Sequence, residues 1–173
     1  MAMLDLTELE QLLLGLYIMA HGSIHIIFMF YHYDEKDNVH LGWSRKSWLL
    51  DKIISQNMTN YIGKITWIII VILFGLSGLT LILAGLNLFV INEYLSLLII
   101  ISSLIATLAF IIFYDGLSPT PFHWILGVVI NLVLIAFVIF FPNNGTLALG
   151  ILIIIFLYGM LFHSRILSQI SPS

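Results

Sequence analysis

A chain of 173 residues that is 61% hydrophobic and 9% charged, with a mean hydropathy of +1.10, is too apolar for a water-soluble domain. Its formal charge of −3 and few, scattered basic residues exclude a phosphate-tracking surface, and with it a nucleic-acid partner. The absence of cysteine excludes disulfide frameworks, thiolate metal sites and dithiol redox relays.

Such a composition predicts an all-α, polytopic integral membrane helical bundle, one transmembrane domain over residues 1–173, with the lipid bilayer as its solvent. About 20 apolar residues cross the ~30 Å hydrocarbon core as a helix. Five segments qualify as transmembrane helices: 12–32, 62–89, 94–114, 122–141 and 146–164. The leader "MAMLDLTELEQ" carries Asp5, Glu8 and Glu10 and no Lys or Arg, unlike a cleavable signal peptide, so the first span is expected to stay in the mature protein. That span holds His21 and His25, one helical turn apart and therefore on one face.

The first loop, 33–61, contains Lys36, Arg45, Lys46 and Lys52, with Lys64 just beyond it, and Arg165 follows the fifth span. With five spans all six basic residues fall on one side, which predicts a cytoplasmic first loop and an N-outside, C-inside topology. Within the loop, Leu50, Ile54, Met58 and Tyr61 recur at helical spacing beside Trp43 and Trp48, predicting a short interfacial helix. The second span contains "GLSG" at 75–78, similar to the G-x-S-G stretch of rhomboid proteases. Here it lies inside an uninterrupted apolar helix that offers no oxyanion-binding amides, and Gly78 and Gly85 on one face instead predict close helix packing.

Asn92-Glu93 separates the second and third spans, and Pro119 and Pro121 in "YDGLSPTPFHW" end one helix and start the next. Pro142-Asn143-Asn144-Gly145 is a turn that makes the last two spans a helical hairpin.

By position along the spans, His21 and Asn131 lie near the midplane, with Ser77 and Ser103 at similar depth. Buried polar groups in lipid need partners. The economical expectation is a hydrogen-bonded cluster joining four helices, with His21, His25, Ser77, Ser103 and Asn131 as a ligand-binding site. All six histidines, His21, His25, His32, His40, His123 and His163, fall at the midplane or toward the cytoplasm.

A second set, His25, Asp115, His123 and His163, has the donor types of a metal site, and His25 with His123 or His163 could supply two axial ligands to a haem. "HGSIH" with a later "YDG" is similar to the H-E-x-x-H and D-G elements of intramembrane metalloproteases. Gly22 stands where the glutamate would be, which removes the general base.

Several features together resemble a group of small, uncharacterised prokaryotic multi-span membrane proteins with an H-G-x-I-H first helix. They are His21-Gly22-Ser23-Ile24-His25, "LAGLNL" at 83–88, a serine at Ser102 or Ser103, the Tyr114-Asp115 step, and Gly127 with Asn131. The resemblance covers about residues 12–131, and the chain departs from it by a longer first loop and a fifth hydrophobic span. It implies a multi-pass protein of a prokaryotic cell membrane and brings no established activity with it.

Two functions compete on these residues. The leading one is a non-enzymatic helical bundle that binds a small ligand or assists transport through an intramembrane His/Asn site, with no cofactor. The other is a metal- or haem-dependent membrane redox protein or enzyme subunit. A membrane-protein partner or a second copy of the chain is compatible with either.

Overall fold

The computed structural model describes residues 4–30, 42–90, 93–118 and 121–170, with side chains described throughout except at 93, 118, 121–124, 160 and 162–170. Among the described residues the chain is all-α, with five α-helices: α1 (Glu8–Phe30), α2 (Gln56–Gly85), α3 (Glu93–Ile112), α4 (Pro121–Phe140) and α5 (Gly145–Ile170). Two short strands, β1 (Gly42–Trp43) and β2 (Leu117–Ser118), pair antiparallel. Three helices, α1, α2 and α3 from Tyr94, are long and apolar enough to cross a membrane. The apolar described stretches of the last two, Ile125–Phe140 and Gly145–Gly159, are shorter.

Helix ends depart from the apolar runs where polar side chains cap them. At the start of α1, the Thr7 hydroxyl accepts from the Glu10 amide at 3.3 Å and the Glu10 carboxylate accepts from the Thr7 amide at 3.0 Å. This capping box draws the helix back to Glu8, before the apolar run begins. Ser55 does the same for α2: its backbone is extended and its hydroxyl accepts from the Met58 amide, so the helix starts at Gln56.

The separate interfacial helix expected from Leu50, Ile54, Met58 and Tyr61 therefore does not form. Leu50–Lys52 is a single 3₁₀ turn, while Met58 and Tyr61 belong to the first turns of α2. Helix α2 thus takes over the last residues of the loop expected at 33–61.

Helices α1 and α2 run antiparallel along a seam of small residues. A Cβ on Gly15 would lie 2.7 Å from the Gly78 carbonyl oxygen, and one on Gly85 would lie 2.7 Å from that of Glu8. The backbones approach this closely because nothing projects between them. Helices α3 and α4 are also antiparallel, with the Phe110 ring seated where a side chain on Gly127 would be. Helix α5 lies beside α4 and α1, with Leu126 against Gly159 at one end and Leu6 and Glu10 against Gly145 at the other.

The α1–α2 and α3–α4 connections meet at one end of the bundle. The Trp48 amide donates to Asp115 Oδ1 at 2.9 Å, the Trp48 indole to the Ile111 carbonyl at 2.8 Å, and the Ser47 hydroxyl to the Ile112 carbonyl at 2.7 Å. The last carbonyls of α3, which a helix cannot satisfy itself, are bonded in this way. Trp43 is buried there, filling the space beside Gly63 and Gly116, and its indole donates to the Lys46 carbonyl at 2.9 Å.

Candidate functional site

The site is built on α1 and completed by α4. His21 and Asn131 are both buried, and His21 Nε2 lies 2.9 Å from Asn131 Oδ1. An amide oxygen only accepts, so Nε2 carries the ring proton and donates it, leaving Nδ1 as the bare acceptor nitrogen. His25 has the opposite tautomer. Its Nδ1 donates back along α1 to the His21 carbonyl at 3.0 Å and to the Gly22 carbonyl at 3.3 Å, which leaves Nε2 as the acceptor.

Gly22 has a steric role between the two histidines. A Cβ there would lie 2.5 Å from the Phe74 Cβ, so its absence admits α2 and sets the Phe74 ring against both imidazoles. His25 stacks on Phe74 at 5.7 Å between centroids and is further enclosed by Phe110 at 5.5 Å, Trp67 at 5.9 Å and Phe28 at 6.2 Å. Three helices thus supply the walls of an aromatic box around one imidazole.

The hydrogen-bonded cluster expected across four helices is narrower than the sequence suggested. Ser77 is buried at the expected depth, but its hydroxyl donates to the Leu73 carbonyl of its own helix at 2.8 Å. Ser102 likewise donates to the Leu98 carbonyl at 2.8 Å. Ser103 is fully buried and its hydroxyl makes no hydrogen bond. Side-chain hydrogen bonding between helices at this depth comes down, among the described residues, to the His21–Asn131 pair.

Six further buried atoms share the condition of Ser103 Oγ: Thr59 Oγ1 and Asn60 Oδ1 lie apart near the start of α2, and the other four are His25 Nε2, Trp67 Nε1, Thr107 Oγ1 and Asn131 Nδ2. Their placement is coherent. Ser103 and Thr107 are one turn apart on α3, and the contact of Phe110 with Gly127 brings Thr107 to about the level of Asn131 on the antiparallel α4. Trp67 and His25 are neighbouring rings. Trp67 and Thr107 were not singled out from sequence, although Thr107 repeats Ser103 at helical spacing.

Beside His21, between α1, α4 and α5, a cleft of about 210 Å³ is lined by Tyr17, His21, Ile24, Ile130, Ile153 and Phe156.

Of the second set, the two members whose side chains are described, His25 and Asp115, lie apart. Asp115 is exposed at the end of α3 and engaged by the Trp48 amide, whereas His25 is shut in its aromatic box. No three His, Cys, Asp or Glu residues are grouped to hold a metal ion among the described residues. His123 lies in the first turn of α4 and His163 in the later part of α5, but their side chains are outside the described residues, as are His32 and His40 altogether.

No protein family, curated protein or solved structure matches this chain.

Proposed function

We propose that this is a multi-pass protein of the cell membrane, with five spans and an N-outside, C-inside orientation, and that its interior binds a small neutral polar ligand without catalysis. The orientation is supported by the antiparallel order of the helices, which carries Arg45, Lys46, Lys52 and Lys64 and the Arg165 end of α5 to one end of the bundle. At ~1.5 Å per residue, α4 with 20 residues and α5 with 26 are also long enough to cross.

The observation that carries the binding reading is the set of unpartnered buried atoms around His21–Asn131: an imidazole acceptor, an indole donor, two hydroxyls and an amide donor. Each such group costs about 1–3 kcal/mol when left without a partner, and lipid supplies none. A ligand carrying both donors and acceptors offsets that cost.

One observation favours the metal or haem alternative. His25 Nδ1 is anchored on backbone carbonyls, which orients Nε2 as a metal-binding imidazole is oriented. The four rings packed around it weigh against this reading, because a metal or porphyrin would have to displace them.

The test is nitrogen NMR of the Trp67 indole in full-length protein in lipid nanodiscs, titrated with glycerol, urea and formamide. At least one solute is expected to shift the Trp67 resonance saturably, with the shift lost in a folded Thr107→Val variant. No saturable shift with any of them, together with a higher melting temperature for Ser103→Ala and Thr107→Val, would overturn the reading. Stoichiometric metal or a haem absorption band, lost in His25→Ala, would replace it with the alternative.

A further inference from the structure

An intramembrane site can be reached along the bundle axis or sideways from the lipid, and the two routes admit different molecules. Toward the basic end of the bundle the axial route to His21 is closed by packed rings. His25 lies against Phe74 and Phe110, Phe28 and Phe110 against Trp67, and Trp67 against Trp43. On the α2 side, Gly15, Gly22 and Gly78 hold the two helices in backbone contact. An approach that the structure leaves open is the cleft between α1, α4 and α5, where His21 is part of the wall and exposed Ala20 and Ile153 flank it.

The size of the cleft restricts its occupant. Its ~210 Å³ lies below the ~300–1,000 Å³ of pockets that enclose a drug-sized ligand. One ring-sized head fits, and any tail remains in the bilayer. Tyr17 and Phe156 in the lining offer faces to a flat ring.

Polarity restricts it further. The Nε2 proton of His21 is committed to Asn131, and Nδ1 is an acceptor with no hydrogen bond among the described residues. A head that meets Nδ1 must donate. A carbonyl or ether oxygen would set lone pair against lone pair, whereas a hydroxyl donates to His21 and can still accept from Tyr17, one turn away on the same helix face.

Building on the intramembrane polar site above, we propose that this cleft takes the hydroxylated ring head of a bilayer-dissolved amphiphile, a phenolic lipid, whose O–H donates to His21 Nδ1 while its tail lies along α5. The ligand enters from the lipid rather than from water.

The probe is para-nonylphenol against its methyl ether, which has the same ring and tail but no donor. Both are added at equal mole fraction to nanodiscs of the full-length, histidine-labelled protein. The phenol is expected to shift the His21 Nδ1 resonance saturably, with the ether half-saturating at about ten-fold higher concentration or more, as for loss of one hydrogen bond to the imidazole. Ile153→Trp, which fills the cleft from α5, should abolish the shift, and Ala20→Leu is a second filling variant at another exposed position. Equal effects of phenol and ether, no effect of either, or a shift that survives both filling variants would overturn the proposal. If the Trp67 response to small solutes persists in those cases, the interior polar site stands without a lipid ligand. If that response is absent as well, both readings fall.

Discussion

The α1–α2 and α4–α5 contacts both join antiparallel helices, yet one is a closed seam and the other is open. Along α1–α2, glycines at 15, 78 and 85 leave backbone atoms as the contact surface. Between α4 and α5 a single glycine seat, Gly159 under Leu126, is flanked by a cleft of about 320 Å³ that includes Ile125, Val129 and Ile154, and another of about 90 Å³ that includes Val133, Ala136 and Leu147. Helix α4 is the more apolar partner of the looser pair. With lipid as the proposed solvent, apolar side chains gain nothing by leaving it, and close contact then follows from small residues and close backbones rather than from hydrophobicity. The division suits the proposed site: the closed seam fixes the histidine helix, and the open contact leaves a way in beside His21.

The largest effect is expected where the seam is tightest. A Cβ on Gly78 would lie 2.6 Å from the Gly15 carbonyl oxygen and 2.9 Å from the Met19 amide nitrogen, so Gly78→Ala must push two backbones apart. It should cost about 2–3 kcal/mol, in the upper range for overpacking, and lower the thermal midpoint in nanodiscs. The same change at Gly150 on α5, where a Cβ would meet nothing within 4 Å, should stabilise by about 0.5–1 kcal/mol through helix propensity. Equal losses at both positions would erase the distinction between the two contacts.

A middle-sized effect is expected at the fastening of α5. Glu10 Oε1 accepts from the Thr146 amide and hydroxyl, each at 2.6 Å, while its Oε2 accepts from the Thr7 amide and hydroxyl. One carboxylate therefore caps two helices and ties the loosely packed α5 to α1. Glu10→Ala should cost about 1–2 kcal/mol. Amide exchange should quicken in the first turn of α5 and remain slow along α2. Uniform acceleration of both would mean that α5 is held as firmly as the α1–α2 pair.

The positions of the helices were legible in the sequence because a long apolar run has few other uses. Their ends were not, since Thr7 and Ser55 cap from outside those runs. The seven-residue spacing of Gly78 and Gly85 announced the seam correctly. His21 and Asn131 were legible for a chemical reason, as polar groups placed at one level among apolar helices need a partner. Ser77 shows where that logic stops: a helical serine can satisfy its hydroxyl on the carbonyl one turn back, and depth alone does not reveal helix rotation. Trp67 and Phe110 stayed hidden because an aromatic ring in an apolar run reads equally well as facing lipid or facing a histidine. The bond of Asp115 to the Trp48 amide was hidden because that amide belongs to a loop 67 residues away in sequence.

The smallest effect is the most diagnostic of the solvent around α4 and α5. Ala136 is half-buried beside the ~90 Å³ cleft that also touches Val133, Phe137, Leu147 and Ile151, so Ala136→Leu places three more carbons in open space. In water, burying them would contribute ~0.8 kcal/mol per methylene, above 2 kcal/mol together. In lipid that transfer contribution vanishes, and what remains is contact dispersion of ~0.1–0.2 kcal/mol per atom pair, set against lipid contacts already made. A stabilisation below about 1 kcal/mol is therefore expected from thermal unfolding in nanodiscs. A gain of ~2 kcal/mol or more would mean that this face meets water rather than acyl chains, and the five-span orientation would fail with it. A loss comparable to that of Gly78→Ala would mean instead that the α4–α5 contact is closed in the bilayer, removing the sideways route to His21.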